Sequence, residues 1–420
     1  MTEPSVPSQE PPITATDSSL SGGRLRGAAI NVIEVIDDMF KSAVDMNASD
    51  IHIEPKVDCV SIRFRVDGKF VPFQRLDLSV KQQLVTRMKI LSGLKIDETR
   101  LPQDGKATFP TQNQNIDMRV SILPVVFGEK VVIRILKKDQ QRLSLKDIGL
   151  LGNALEKVEK ALHKTYGIIL ATGPTGSGKS TTLYSVLGTF NPEEVNISTL
   201  EDPVEYTMPG VNQSQINADI GFDFPDGLRS LLRQDPDIIM VGEIRDRKTA
   251  QLAVESALTG HLVFSTLHTN DAATTVQRLV DMGVEPFLIS SSVQVIIAQR
   301  LVRRVCPYCR IPIKLEGHTK MAVAQEIGSL VDKDIDQIAF FKAKGCDRCK
   351  NLGYKGRIGI YEVLEISPTI QSLILKEGID STTIKNQAIK EGMLTLLQDG
   401  LVKAALGITT LEEVYRVVGT

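Results

Sequence analysis

The chain has 420 residues, enough for two or three domains, each with its own hydrophobic core. Apolar residues make up 42% and charged residues 24%, which excludes a fibrous or wholly disordered chain, and no run of 18 or more apolar residues offers a membrane span. Its 49 Lys and Arg against 51 Asp and Glu give a formal charge of −2, so a global basic footprint for nucleic acid is excluded as well.

Residues 1–23, rich in Ser, Thr, Pro and Glu, lack the periodic apolar content needed to fold and are expected to be a disordered tail. With no signal-like start, the chain is expected to be cytoplasmic. Val32, Ile33, Val35, Ile36, Met39, Phe40, Ala43 and Val44 then recur at helical spacing and give a helix one apolar face to lay on a sheet. That sheet is announced at 51–53 and by Val60, Ile62, Phe64 and Val66, which alternate with polar residues up to an Asp67-Gly68 turn. Ser79 reads as the N-cap of a helix through Leu84, Val85, Met88 and Leu91, and three more strands are expected near Lys106, at 116–123 and at 130–136. Together these make an α+β domain over 24–137, in which Cys59 reads as inert packing. Arg63, Arg65, Arg100, Arg119 and Arg134 lie on or beside its strands. An inserted arginine speeds phosphoryl transfer by up to about 10³ to 10⁵, and Arg119 and Arg134 are the first candidates for that role.

The polar stretch 138–149 reads as a linker, a hinge that lets two domains close on a nucleotide. A larger domain follows over 150–420. Its first strand runs into Gly173-Pro174-Thr175-Gly176-Ser177-Gly178-Lys179-Ser180-Thr181, which fits G-x-x-x-x-G-K-[ST] between a strand and a helix. The glycines let the backbone wrap a triphosphate with its N–H groups inward, and the helix dipole points the same way. Lys179 is placed to neutralise the β and γ phosphates of ATP, and the Ser180 hydroxyl to hold Mg²⁺. A plain Gly/Ser turn needs neither the lysine nor the flanking strand and helix.

Short apolar runs at 195–200, 238–241 and 262–266 alternate with helical stretches, the pattern of a parallel sheet covered on both faces. The run 238–241 ends in Gly242-Glu243, and Glu243 is the expected catalytic base for the attacking water. Glu201, Asp202 and Glu205 follow the run 195–200. Glu201 or Asp202 is expected to help place Mg²⁺ and Glu205 to orient water, unless this is merely a solvated acidic turn. His261 and His268 bracket the run 262–266. His268, at the strand end where α/β sheets bind ligands, reads as a γ-phosphate sensor, while His261 is either coupled to phosphate or simply packed.

Cys306, Cys309, Cys346 and Cys349 form two C-x-x-C pairs suited to tetrahedral Zn²⁺. The 36 residues between the pairs exceed the usual ribbon spacing of roughly 15 to 20, and a helix at 321–331 is expected to fill the gap. Four thiolates leave no open position, so such a zinc is structural.

These motifs together resemble the assembly ATPases of type II secretion and type IV pili, the GspE/PulE/PilB-like family. The likeness rests on the phosphate loop, the acidic turn 201–205, the stretch 228–246 ending in Gly242-Glu243-Ile244-Arg245-Asp246, the histidine box 259–268, Leu101-Pro102-Gln103-Asp104-Gly105-Lys106, and Gln299-Arg300-Leu301-Val302-Arg303-Arg304 before the cysteine pairs. The resemblance implies a P-loop (RecA-like) α/β domain with a mainly parallel sheet, a smaller PAS-like α+β domain before it, and a zinc-binding element over 300–355 followed by C-terminal helices. It further implies a homo-hexamer in which one subunit lends arginines to its neighbour's nucleotide. The implied partners are an inner-membrane platform protein and a bitopic membrane assembly protein, with no nucleic acid expected and the motor peripheral at the inner membrane. The alternatives are a nucleotide-dependent scaffold, or a pilus-retraction or DNA-transfer ATPase of the same superfamily. Relatives often carry a further N-terminal docking domain, which leaves the route to the membrane open.

Overall fold

Alternating apolar residues build the first part of the chain and continuous apolar runs the second. The computed structural model describes residues 31–110, 115–136, 143–331, 334–376, 378 and 380–419. The expected tail, 1–23, and residues 137–142 of the linker region lie outside the described residues. The chain divides into two compact units, one ending at Ile135 and the other beginning at Leu136.

In the first unit, strands β1 (Asp50–Pro55), β2 (Val60–Val66), β3 (Lys69–Leu76), β4 (Gln103–Pro110), β5 (Asn115–Val125) and β6 (Gly128–Leu136) form one sheet in the order β3-β2-β1-β6-β5-β4. β1 runs antiparallel to both β2 and β6, and Asp50 pairs with Arg65 on one side and Arg134 on the other. Ile51, Ile53, Ile62, Phe64 and Ile133 are fully buried. The helices Val32–Asp45 and Lys81–Leu91 bury Met39, Phe40, Leu84 and Met88, and the Phe40 ring meets Phe109 of β4 at 4.7 Å. With a side-chain period of two, the other face of this sheet carries the arginines.

In the second unit, β7 (Gly167–Thr172), β8 (Ile197–Glu201), β9 (Asn212–Gln215), β10 (Ile238–Val241), β11 (Leu262–Leu267) and β12 (Val293–Val305) form a parallel sheet in the order β12-β7-β11-β10-β8-β9. A short two-stranded antiparallel sheet, β13 (Ile311–Ile313) with β14 (Phe340–Lys342), stands apart, and β15 (Tyr354–Glu365) lies antiparallel on β12 at the sheet edge. β7, β10 and β11 are buried along their whole length. Ile168 and Leu170 enter the core on one face, and Ile169 and Ala171 enter it on the other. This is an α/β fold with a parallel-rich sheet, whose strands read as continuous apolar runs because both faces are covered. The part of the expected linker that is described is packed rather than free: Leu145 and Ile148 are buried in the core beside the phosphate-loop helix Lys179–Leu187.

Candidate active site

The parallel strands end along one edge: Thr172 pairs with Leu267, Val241 with Ser265, and Leu200 with Val241. The phosphate loop leaves β7 at this edge. Gly173, Gly176 and Gly178 all take positive φ, as the tight loop requires. A Cβ on Gly173 would lie 2.6 Å from both the Gln299 carbonyl and the Ser177 hydroxyl, so only glycine fits there. Lys179 opens the helix, is buried, and donates from Nζ to the Gly173 carbonyl at 2.8 Å and the Pro174 carbonyl at 3.3 Å. Burial pushes its pKa down to about 8, opposed by the nearby Glu243 carboxylate and aided by Arg300. Pro174, Thr175, Gly176 and Ser180 are exposed on the loop and Thr181 half-buried behind it.

Glu243 follows β10 and is mostly buried, between Arg245 at 2.6 Å and the Nε2 of His268 at 3.4 Å. Its charge reaches Lys179, so the structure brings Glu243, His268 and the phosphate loop to one place. His261 lies at the opposite end of β11, where its Nδ1–H donates to the Ser256 carbonyl at 2.8 Å.

The acidic turn divides by burial. Glu201 is buried and already engaged: Tyr184 donates to one oxygen, while Thr199 at 2.6 Å and Gln213 at 3.1 Å donate to the other. Through these bonds Glu201 ties the phosphate-loop helix to β8. Burial, and then the Glu201 carboxylate beside it, pushes the Tyr184 phenol pKa up. Asp202 and Glu205 are exposed on either side of a cis Asp202–Pro203 bond.

Several residues of the site carry no role in the sequence reading. Thr172 joins the loop base to Thr269 through hydroxyls 2.6 Å apart, and Thr269 continues to Thr275 at the same distance. Arg245 lies two residues beyond the expected base, and Gln299 and Arg300 stand inside a motif noted only for its likeness. Hydroxyls and amides at strand ends have no pattern of their own, so only their position beside recognised motifs signals them.

In the first unit, Arg119 and Arg134 line one cleft of about 540 Å³ with Asp50, Asp104 and Lys106. The Nε of Arg134 donates to Asp50 at 3.0 Å while most of the side chain stays exposed.

The four cysteines converge as their spacing predicts. Their sulfurs all lie within 4.8 Å of one another, with Cys306 to Cys346 at 3.9 Å and both Cys309 and Cys346 at 3.8 Å from Cys349. Four thiolates about 2.3 Å from a tetrahedral zinc stand roughly 3.8 Å apart, so the donor set fits that ion. Backbone N–H groups of Gly345 and Gly353 donate to Cys309 and Cys349, as thiolate sulfurs require. The helix in the gap is Gly317–Ile327, about one turn earlier than expected, and buries Val323 and Ile327 against Leu401 and Val414.

A phosphate loop backed by a parallel sheet, with a mostly buried glutamate at the end of a neighbouring strand, defines a P-loop ATPase. The model of the family described as "Type II/IV secretion system protein" matches residues 27–416. The chain belongs to that family of secretion and pilus-assembly ATPases. It is 46% identical over 379 residues to the type IV pilus assembly ATPase PilB of Thermus thermophilus, covering 90% of this chain and 42% of that protein. It is 44% identical over 387 residues to the type II secretion system ATPase E of Vibrio cholerae, covering 92% of this chain and 75% of that protein. A solved structure of the pilus retraction motor PilT with bound ADP superposes with a TM-score of 0.59 at 27% identity, covering 91% of this chain and 96% of that one. The chain thus spans less than half the length of the Thermus relative. Among the described residues no helix is long and apolar enough to cross a membrane.

Proposed function

We propose that this chain is the ATP-hydrolysing motor of a type II secretion or type IV pilus machine, powering assembly of pilin-like subunits and protein export. The observation that carries the proposal is Glu243, held between Arg245 and His268 with its charge on Lys179. A carboxylate there can take the proton of a water attacking the γ-phosphorus in line, while the β–γ bridging oxygen leaves with ADP. Lys179 exchanges its bonds to the loop carbonyls for phosphate oxygens, and His268 and Glu205 orient the γ-phosphate and the water. Ser180, at the start of the helix, would hold Mg²⁺, which would supply neutralisation of the triphosphate's negative charge.

The cysteine cluster holds a structural zinc, and the PAS-like first unit lends Arg119 and Arg134 to a neighbour's nucleotide in a homo-hexamer. A platform protein and a bitopic assembly protein of the inner membrane are its partners, and the motor is cytoplasmic, docked at that membrane through them. The test is ATP hydrolysis by the purified chain. Glu243→Gln is expected to lower kcat by at least a hundredfold while ATP still binds, and Lys179→Ala to abolish binding. Normal turnover in Glu243→Gln would remove the role given to that residue.

A further inference from the structure

Gln299 and Arg300 follow one another on β12, outside the phosphate loop, the acidic strand and the histidine box. Successive strand residues point to opposite faces, so the pair reaches two parts of the site at once. Gln299 is fully buried, and its Nε2 donates to the Ser177 carbonyl at 2.9 Å. Its own backbone carbonyl lies against Gly173, where a Cβ would stand 2.6 Å away. Its Oε1 is buried and has no hydrogen-bond partner among the described residues. A residue needed only for filling would be an apolar side chain of similar volume, because a buried amide with a lone oxygen is a burden on stability. The amide is explained by its donor, which fixes the Ser177–Gly178 peptide and so turns the following N–H groups toward the phosphates.

Arg300 works on the other side. Its Nη1 donates to the Gln299 carbonyl at 3.1 Å and its Nη2 to the Asn270 carbonyl at 3.1 Å, two residues beyond His268. The guanidinium therefore joins the carbonyl that packs on Gly173 to the turn that carries the histidine. A planar fork with several fixed donors suits two carbonyls held at a set separation.

We propose that Gln299 and Arg300 are positioning residues of the nucleotide site: Gln299 shapes the phosphate loop, and Arg300 sets its distance from the turn 268–270. This rests on the ATPase reading above. Both act before the nucleotide arrives, by removing the ordering that binding would otherwise impose.

The test compares wild type with Gln299→Met, which keeps volume without the amide, and with Arg300→Gln and Arg300→Lys. ATP KM and kcat are measured, together with the unfolding midpoint with and without the non-hydrolysed analogue AMP-PNP. Gln299→Met is expected to raise KM about fivefold to tenfold, more than it lowers kcat, and to shrink the AMP-PNP-induced rise in midpoint. Arg300→Gln is expected to do the same, and Arg300→Lys to recover part of the loss. Wild-type KM with a full nucleotide-induced shift in Gln299→Met and Arg300→Gln overturns the proposal, as does a loss of stability that is equal with and without nucleotide. Should Gln299→Met fail to fold, the half-buried Arg300 variants decide by the same readings. A wild-type chain that neither binds nor hydrolyses ATP instead removes the ATPase reading itself.

Discussion

Lys179 is where the pH dependence of this site resides. With its pKa pushed down to about 8 by burial, the ammonium is charged below that pH and increasingly neutral above it. ATP phosphates restore the charged form, so the bound state keeps a proton that the free state has lost. ATP affinity is therefore expected to be level below pH 8 and to fall by up to about tenfold per unit above it. A titration of fluorescent ATP analogue from pH 7 to 9.5 checks this, and Lys179→Arg, charged throughout, should flatten any curve that it still shows. Glu201 and Glu243 show how far single residues could be read in advance. Both end apolar runs, and both looked available for chemistry. Their partners separate them: Glu243 lies between Arg245 and His268, whereas Tyr184, Thr199 and Gln213 bond Glu201, and none of those three announces a carboxylate partner from its place in the chain.

At the scale of elements, the C-terminal helices are held on β12 and β15 by apolar packing around Val302, Ile358, Ile360 and Leu396 and by a buried ion pair. Glu413, buried in helix Leu411–Val418, is gripped by Arg303 of β12 at 2.8 Å and by Arg416, which hold its pKa down near 2. A depressed carboxylate stabilises above its unfolded pKa of about 4.3, and that contribution is lost as pH falls through 2. Glu413→Gln is expected to cost about 3 kcal/mol, because Arg303 is then left without its buried partner. Thermal unfolding at pH 7 measures that loss, which should shrink toward pH 2. The zinc proposed for the cysteine cluster is checked separately. Protein purified without added metal is expected to carry about one zinc per chain, and Cys346→Ser to lose it along with the protease resistance of 306–349. Below half an equivalent, the zinc assignment fails. β12 and β15 were the least legible elements here. β12 runs thirteen residues through Arg300, Arg303 and Arg304, and those charges hide the alternation that marks a strand. They are tolerated because each has a partner: Arg300 the Asn270 carbonyl, Arg303 Glu413, and Arg304 the Asp147 carbonyl. The phosphate loop, in contrast, was legible because its glycines and lysine serve local geometry that few other sequences satisfy.

At the scale of the whole molecule, the proposed ring turns on whether Arg119 and Arg134 serve their own chain's nucleotide or a neighbour's. Both line one cleft on the first unit's sheet, and Arg134 is anchored at one end by Asp50 while the rest of its length is exposed. An anchored, extended guanidinium is pre-organised to meet an anion, and a homo-oligomeric ring repeats the meeting at every interface. Mixing two inactive variants separates the cases. In a ring assembled from equal amounts of Lys179→Ala and Arg134→Ala chains, half of the phosphate loops are intact. Half of those adjoin a subunit with an intact arginine, so about a quarter of sites are complete if the arginine acts across the interface. If it acts within the chain, every subunit carries a defect and activity stays at background. Recovery of about a quarter of wild-type ATPase after co-refolding or subunit exchange is the expected outcome, with each variant alone inactive. Recovery that is absent, in rings shown by mass to contain both chains, would place the arginine in its own subunit's site.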